Sequence, residues 1–562
     1  MFRDEKIPYF LFASISVIYI LSWTMACSRG LTSTLEGESA QTAREFLHAL
    51  DWTVNHLNGV EDYDKPAFFY WIIAFFSLLT GGVSELSARI PSLLSTLIII
   101  SLFSRYYDNN PHQRHLFLMA AAIFITSPKV FWMSQIGRMD MTLNMFCFSA
   151  ITAFGLYWRE RDNCRAQKIY YYVFFVATAL AVLTKGPVGF IITGVPVFIF
   201  LAIKREKQEL LHFFLGKGIV LFLIISLPWF INACIQTEGA FFNRFFLEEN
   251  LSRFGNLFSA IEFKEFNRSP FNRYFVYLLG GFFPWSILLP GFLFALIRRT
   301  YRPDDSDLII ITYILWIFCF FSLSGVKRSD YILPLYPAAS LMVARYLFQN
   351  FSLKGITKFA FSLAAFFSIS VMITGSVPII LSTTKGLSLA SQYIPKALSQ
   401  ELIRYAEHPE TVVPFAVFSL IIILTLPFLA MRNKSFNVMF ASITGILAAF
   451  YVYAVVAIFP VIYANKDMRP YCKEISILIG TDQVYSYRFW DEEIVFYLNR
   501  FINKIDAEEL RRLMNQKEQR IFLLVREENL EELQIKTSGI PFVYNKKMPA
   551  WRRIYLISNR PF

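Results

Sequence analysis

The sequence predicts an all-α polytopic membrane protein of about 13 transmembrane helices, followed by a small C-terminal α/β domain. Three observations carry this. The 562 residues are 55% hydrophobic and only 17% charged, more apolar surface than a soluble fold of this size hides. The apolar residues fall in long blocks rather than amphipathic stripes. From about residue 466 the texture changes: "DQVYSYRF", "QRIFLLV" and "RRIYLIS" alternate like strands and "AEELRRLMNQ" like a helix, giving a domain over 466–562.

Blocks of spanning length lie near 8–27, 86–104, 115–132, 139–158, 169–184, 187–203, 213–233, 274–297, 307–324, 330–348, 355–381, 413–431 and 436–463. The first reads as an uncleaved span, because no small-residue cleavage site follows it. The stretch "YDKPAFFYWIIAFFSLLTGG", Tyr63 to Gly82, is the ambiguous one. Charge decides it. With Arg3 and Lys6 in the cytoplasm, the basic turns at 105–114, 159–168, 204–217, 298–302, 354–358 and 432–434 all fall on the cytoplasmic side. A further span at 67–81 reverses every one of them. The segment is therefore expected to dip into the membrane edge from outside, packed on protein. The domain 1–465 then carries two long outer loops, 28–85 and 234–273, and long ordered loops are usually functional.

The net charge of +12 fits this positive-inside bias and does not call for nucleic acid. Six scattered cysteines form neither a metal motif nor a disulfide framework. Topology does not explain the cations on the outer side. Lys65, Arg89, Arg138, Lys185, Arg244, Arg253, Arg268, Arg273, Lys327 and Arg328 all lie there, close to the membrane. Arginine and lysine are the natural partners of phosphate oxygens. Glu36, Glu38, Asp64 and Asp140 stand among them. Asp140 opens a long apolar helix, where a carboxylate is costly unless it faces a polar cavity. The pattern points to a membrane enzyme with an outward pocket for a sugar and a phosphate. A transporter or flippase is the alternative from another class, though no internal repeat supports it.

The series "EGESAQTAREF", "LDWTVNHLNGVEDYDKPAFFYW", "GGVSELSARIPS", "IGRMDMTL", "LTKGP", "LPWF", "FFPWS" and "KRSDYILPLYP" resembles the polyprenyl-phosphate-sugar-dependent glycosyltransferases of the GT-C fold. It is nearest to the bacterial aminoarabinose (lipid A) transferases and more distantly similar to the protein O-mannosyltransferases. The resemblance implies transfer of a sugar from an undecaprenyl-phosphate donor to an acceptor, lipid A or an envelope protein, at the periplasmic face of the inner membrane. It implies Glu36, Glu38 and Asp140 as catalytic acids, with Leu35 replacing the first acid of the family's pair. Lys65 matches the lysine that contacts the donor phosphate, and Arg328 and Tyr331 fall on the segment resembling the phosphate wall. Tyr63, Arg138, Arg253 and Lys327 complete the expected donor-binding set. Some relatives hold a divalent cation through an acid before the lysine and a later histidine. Asp64 could serve the first part, but the later loop has no histidine, so no metal and no other cofactor is expected.

Overall fold

A computed structural model describes residues 6–49, 51–106, 111–251, 273–324, 327–350, 436–464, 466–514, 520–530, 542–544 and 554–560, with isolated positions between 355 and 432. The expected spans at 355–381 and 413–431 lie outside the described residues, as does Arg253.

The chain opens with α1 (Lys6–Ser28) and the polar helix α2 (Thr34–Ala49). A hairpin of β1 (Asn55–Leu57) and β2 (Val60–Asp62) follows, then the short apolar helix α3 (Phe68–Thr80) and the long α4 (Glu85–Tyr106). Next come α5 (Pro111–Ile125), α6 (Pro128–Ser134), α7 (Met139–Arg159), α8 (Cys164–Lys185), α9 (Val188–Lys204), α10 (Lys207–Leu215) and α11 (Lys217–Gln236). A π-helical stretch, Phe242–Leu251, precedes α12 (Arg273–Gly281), α13 (Leu289–Ile297), α14 (Asp305–Leu323) and α15 (Leu335–Asn350). A last apolar helix starts at Phe436 and continues through a π turn to Ile458. Among the described residues seven helices are long and apolar enough to cross a membrane, or nine if two bent pairs each count as one span.

The bends correct two expected continuous spans. The block at 115–132 breaks between α5 and α6, which meet at 75°. Pro128 is the cause: Ser127 before it is extended, as a residue preceding proline prefers, and the helix restarts with proline in its first turn. The block at 274–297 breaks near Pro284, at 116° between Arg273–Gly281 and Trp285–Ile297.

Helix α3 has 13 residues. At 1.5 Å per residue it reaches about 20 Å, short of the roughly 30 Å hydrocarbon layer. Gly81, in the left-handed conformation at φ 83°, ends it and donates to the Ser77 carbonyl. Ser77 Oγ then lies 3.0 Å from Ser87 Oγ in the first turn of α4. Phe69, Tyr70, Ile73 and Ala74 face protein, while Phe75, Leu78 and Leu79 are exposed.

The centre of the bundle is α7. Nearly every residue from Met139 to Trp158 is buried, and Ala150, Ala153 and Gly155 allow neighbouring helices to come close. Residues 483–558 contain a five-stranded sheet of β3 (Gln483–Tyr487), β4 (Asn503–Ile505), β5 (Ile521–Arg526), β6 (Phe542–Tyr544) and β7 (Ile554–Ser558). The order is β4-β3-β5-β7-β6, with β4, β3 and β5 parallel and the other pairings antiparallel. It docks on α2 and the hairpin. Asn58, at φ 59° in the hairpin turn, donates to the Ile502 carbonyl at 2.6 Å and accepts from the Ile502 N–H at 2.8 Å. The Arg44 guanidinium lies 3.9 Å over the Phe496 ring.

Candidate active site

A cavity of about 630 Å³ opens where α2, the Asp64–Pro66 loop, the start of α7, the Lys185–Pro187 turn, the π-helical stretch and the segment after α14 converge. One part of its wall is apolar, with Leu143, Val188, Ile191, Phe320 and Phe321. The rest carries Lys65, Arg138, Lys185 and Arg328 together with Glu38, Asp64, Asp140, Glu249 and Asp330.

Lys65 is fixed through its backbone, whose carbonyl accepts from Asn55 Nδ2 at 2.6 Å. Its ammonium pairs with Glu38, which also accepts from Tyr70 Oη at 3.0 Å. Burial works to lower the Lys65 ammonium, but Glu38, Asp62 and Asp64 outweigh it and hold it above the ordinary lysine value. Burial, reinforced by Glu38, pushes the neighbouring Asp62 carboxyl up to about 6.

Asp140 lies in the first turn of α7, where free N–H groups favour an anion. It pairs with Lys185 at 2.5 Å and Arg138 at 2.9 Å. Arg138 also reaches Asp330 at 2.7 Å. Gly186, at φ 84°, ends α8 directly after Lys185, and an added Cβ there would lie 2.5 Å from the Phe245 ring. The Lys185 ammonium stands 5.2 Å from the Tyr331 ring centroid.

The structure thus brings Glu38, Lys65, Arg138, Asp140, Arg328 and Tyr331 of the expected set to one cavity. Glu36 is not there. Positions 36 and 38 point to different sides of a helix, so one turn cannot aim both at the same ligand. Glu36 faces the interior, fully buried, and meets Arg89 at 2.6 and 3.1 Å while accepting from the Gly137 N–H at 2.9 Å. Lys327 does not line the cavity; its ammonium donates to the Ser324 carbonyl at 2.9 Å. Tyr63 stands outside as well, its hydroxyl on Glu61 and its ring against Phe241. Asp64 accepts from Arg244 Nε at 2.9 Å.

Sequence reasoning did not place Asp330, Lys129 or Glu249, and it noted Lys185 only as one of several outer cations. Asp330 gathers Lys129 at 2.6 Å, Arg138 at 2.7 Å and Arg328 at 3.2 Å. The signal available was a lone acid in "GVKRSDYILP" beside two cations.

A bundle of apolar helices around a mixed-charge cavity defines a multi-pass membrane protein. Residues 64–231 match the family described as dolichyl-phosphate-mannose-protein mannosyltransferase. The chain is similar to undecaprenyl phosphate-alpha-4-amino-4-deoxy-L-arabinose arabinosyl transferases: 27% identical over 354 residues to that of Wigglesworthia glossinidia brevipalpis, covering 61% of this chain and 60% of the relative. It is 29% identical over 348 residues to such a transferase, numbered 2, of Sodalis glossinidius (strain morsitans), covering 60% of this chain and 58% of the relative. The match spans about three fifths of these curated relatives. The fold is that of ArnT from Cupriavidus metallidurans: the crystal structure bound to undecaprenyl phosphate superposes with a TM-score of 0.77 at 19% identity, covering 99% of both chains.

Proposed function

We propose that this protein is a glycosyltransferase of the bacterial inner membrane that moves a sugar from an undecaprenyl-phosphate donor to lipid A at the periplasmic face, in the manner of aminoarabinose transfer. The observation that carries the reading is the joining of Lys65, Arg138, Lys185 and Arg328 to an apolar wall in one cavity. A lipid phosphate needs both halves: cations for its head and hydrocarbon for its tail. The names of the relatives supply the sugar and the carrier.

The chemistry follows from the charges. Breaking the bond between the anomeric carbon and the phosphate oxygen leaves one more negative charge on the phosphate. Lys65 and Arg138 stand where fixed positive charge would meet it. The sugar passes through an oxocarbenium-like state, which Glu38 and Asp140 would stabilise. A lipid A phosphate acceptor is already anionic, so no proton need be removed; Glu38 and Asp140 then orient the acceptor or hold a sugar amine. A hydroxyl acceptor would require one of them as a base.

In this reading the transferase domain covers residues 1–465 with thirteen spans, the N-terminus is cytoplasmic, and residues 466–562 form a periplasmic α/β domain. Helix α3 supports it, being too short to cross and ending beside the start of α4. The test is lipid A mass spectrometry with and without the gene, joined to transfer from radiolabelled undecaprenyl-phosphate aminoarabinose by the purified protein. Loss of the aminoarabinose adduct on deletion supports the reading. Unchanged lipid A with altered envelope glycoproteins would favour protein O-glycosylation instead, the reading to which the matched family of residues 64–231 points.

A further inference from the structure

Asp330 lines the cavity at the centre of its cation cluster, with a side chain only 8% exposed. Oδ1 accepts from Lys129, while Oδ2 accepts from Arg138 and Arg328. The three cations come from the first turn of α6, the residue before α7 and the segment after α14. Arg138 and Arg328 line the cavity beside Asp330; Lys129 is not part of the lining.

A carboxylate in that position has two opposed effects. It lets like charges sit together that would otherwise repel. It also occupies the hydrogen-bonding directions that an incoming phosphate requires. The N–H groups already given to Asp330 must be shared or surrendered when phosphate binds, so that pairing is subtracted from the affinity. We infer that Asp330 is a built-in counter-anion, a positioning residue that acts through Arg138 and Arg328 to weaken the site's hold on the product lipid phosphate and let it leave. This rests on the donor assignment proposed above.

The local charge agrees. Within the ion-pair network that runs through Asp140 and Asp330, Lys129, Arg138, Lys185 and Arg328 against the two carboxylates leave two net positive charges, and the Lys65–Glu38 pair beside it adds none. A phosphodiester donor carries one negative charge, and the departing monoester carries about 1.5 to 2 near neutrality. With Asp330 present, the cluster balances the product. Without it, one positive charge is in excess and the product is retained.

Binding of undecaprenyl phosphate to the purified full-length protein in detergent, by calorimetry, tests this. Asp330→Asn is expected to bind about tenfold more tightly than wild type. Asp330→Glu, which keeps the charge, is expected to stay within about threefold. Lys129→Gln is expected to bind about threefold or more weakly, because Asp330 then turns wholly to the two arginines. Equal or weaker affinity in a folded Asp330→Asn variant overturns the inference. If that variant does not fold, Lys129→Gln decides, and unchanged or tighter binding overturns it. A wild-type protein that binds no undecaprenyl phosphate overturns the proposed function and this inference with it. Wild-type binding with unaltered variants overturns this inference alone.

Discussion

The Glu36 carboxylate and the Arg89 guanidinium form a two-point pair with neither side chain exposed, at 2.6 and 3.1 Å. Arg89 also donates to the Ala26, Arg29 and Gly30 carbonyls, so the pair joins the end of α1, α2 and α4. Glu36 additionally takes the Gly137 N–H, just before Arg138 and Asp140. An acid expected to do chemistry is instead the bolt beneath the site.

Removing one member of that pair leaves a buried charge. Arg89→Met is expected to cost about 3–5 kcal/mol of stability, and adding Glu36→Gln should recover part of it. The pair also sets an acid limit. Burial raises the Glu36 carboxyl, but the Arg89 guanidinium outweighs it and holds the group down to about 2. The unfolded value is about 4.3. The contribution is therefore present above that value and lost as pH falls through about 2. Thermal unfolding in detergent, followed from pH 5 downwards, should show a decline that is smaller in the double variant.

Asp140→Asn is expected to lower sugar transfer about 100-fold or more while expression and folding persist, since Arg138 keeps Asp330 as a partner. Radiolabelled transfer and size-exclusion chromatography check the two halves. Wild-type activity in this variant would remove Asp140 from the site.

Asp62 has the opposite linkage to Glu36. Burial and then Glu38 push it up to about 6, against about 3.9 unfolded. Between those values the folded state binds more protons, so stability present at low pH is lost as pH rises through about 6. Asp62→Asn keeps an oxygen for the Asp64 N–H, which Asp62 accepts at 3.1 Å. It should therefore be more stable than wild type at neutral pH. Because Asp62 is only half-buried, the gain is expected to be about 1 kcal/mol. Melting curves at pH 5 and pH 8 should diverge in wild type and converge in the variant.

Asn58 completes the junction between the hairpin and the sheet-bearing region, with two hydrogen bonds to Ile502. Asn58→Ala removes both and places a β-carbon residue less tolerant of φ 59° in the turn. A cost of about 2–3 kcal/mol is expected at that junction. Limited proteolysis should cleave the C-terminal region faster. Transfer should fall too, because α2, which presents Glu38 to the cavity, packs through Gly37 on Glu492 and Glu493 of the same region.

Much of the architecture was legible because it depends on local composition. The boundaries of α4, α7, α8 and α14 lie within a few residues of the apolar blocks. The breaks at Pro128 and Pro284 were written in the sequence as prolines, yet block length alone read through them. At the site, Lys65, Arg138 and Asp140 were legible because each is a charge beside a long apolar run. Glu36 was expected at the site from the resemblance to the family's acidic pair, but helical rotation separates it from Glu38, and only Glu38 of the two lines the cavity.

By itself the sequence determined that this chain lives in a membrane and that cations and acids stand beside its long apolar runs. Those properties follow from hydrophobicity, length and charge, each of which acts residue by residue. Only the tertiary structure decided which acid faces the cavity and which is buried. Only packing brings Asp330 to Lys129 and Arg138, about 200 and 190 positions away in the chain. A carboxylate in a low-dielectric interior is governed by the cations within a few ångströms, and no local pattern records which distant helix will supply them.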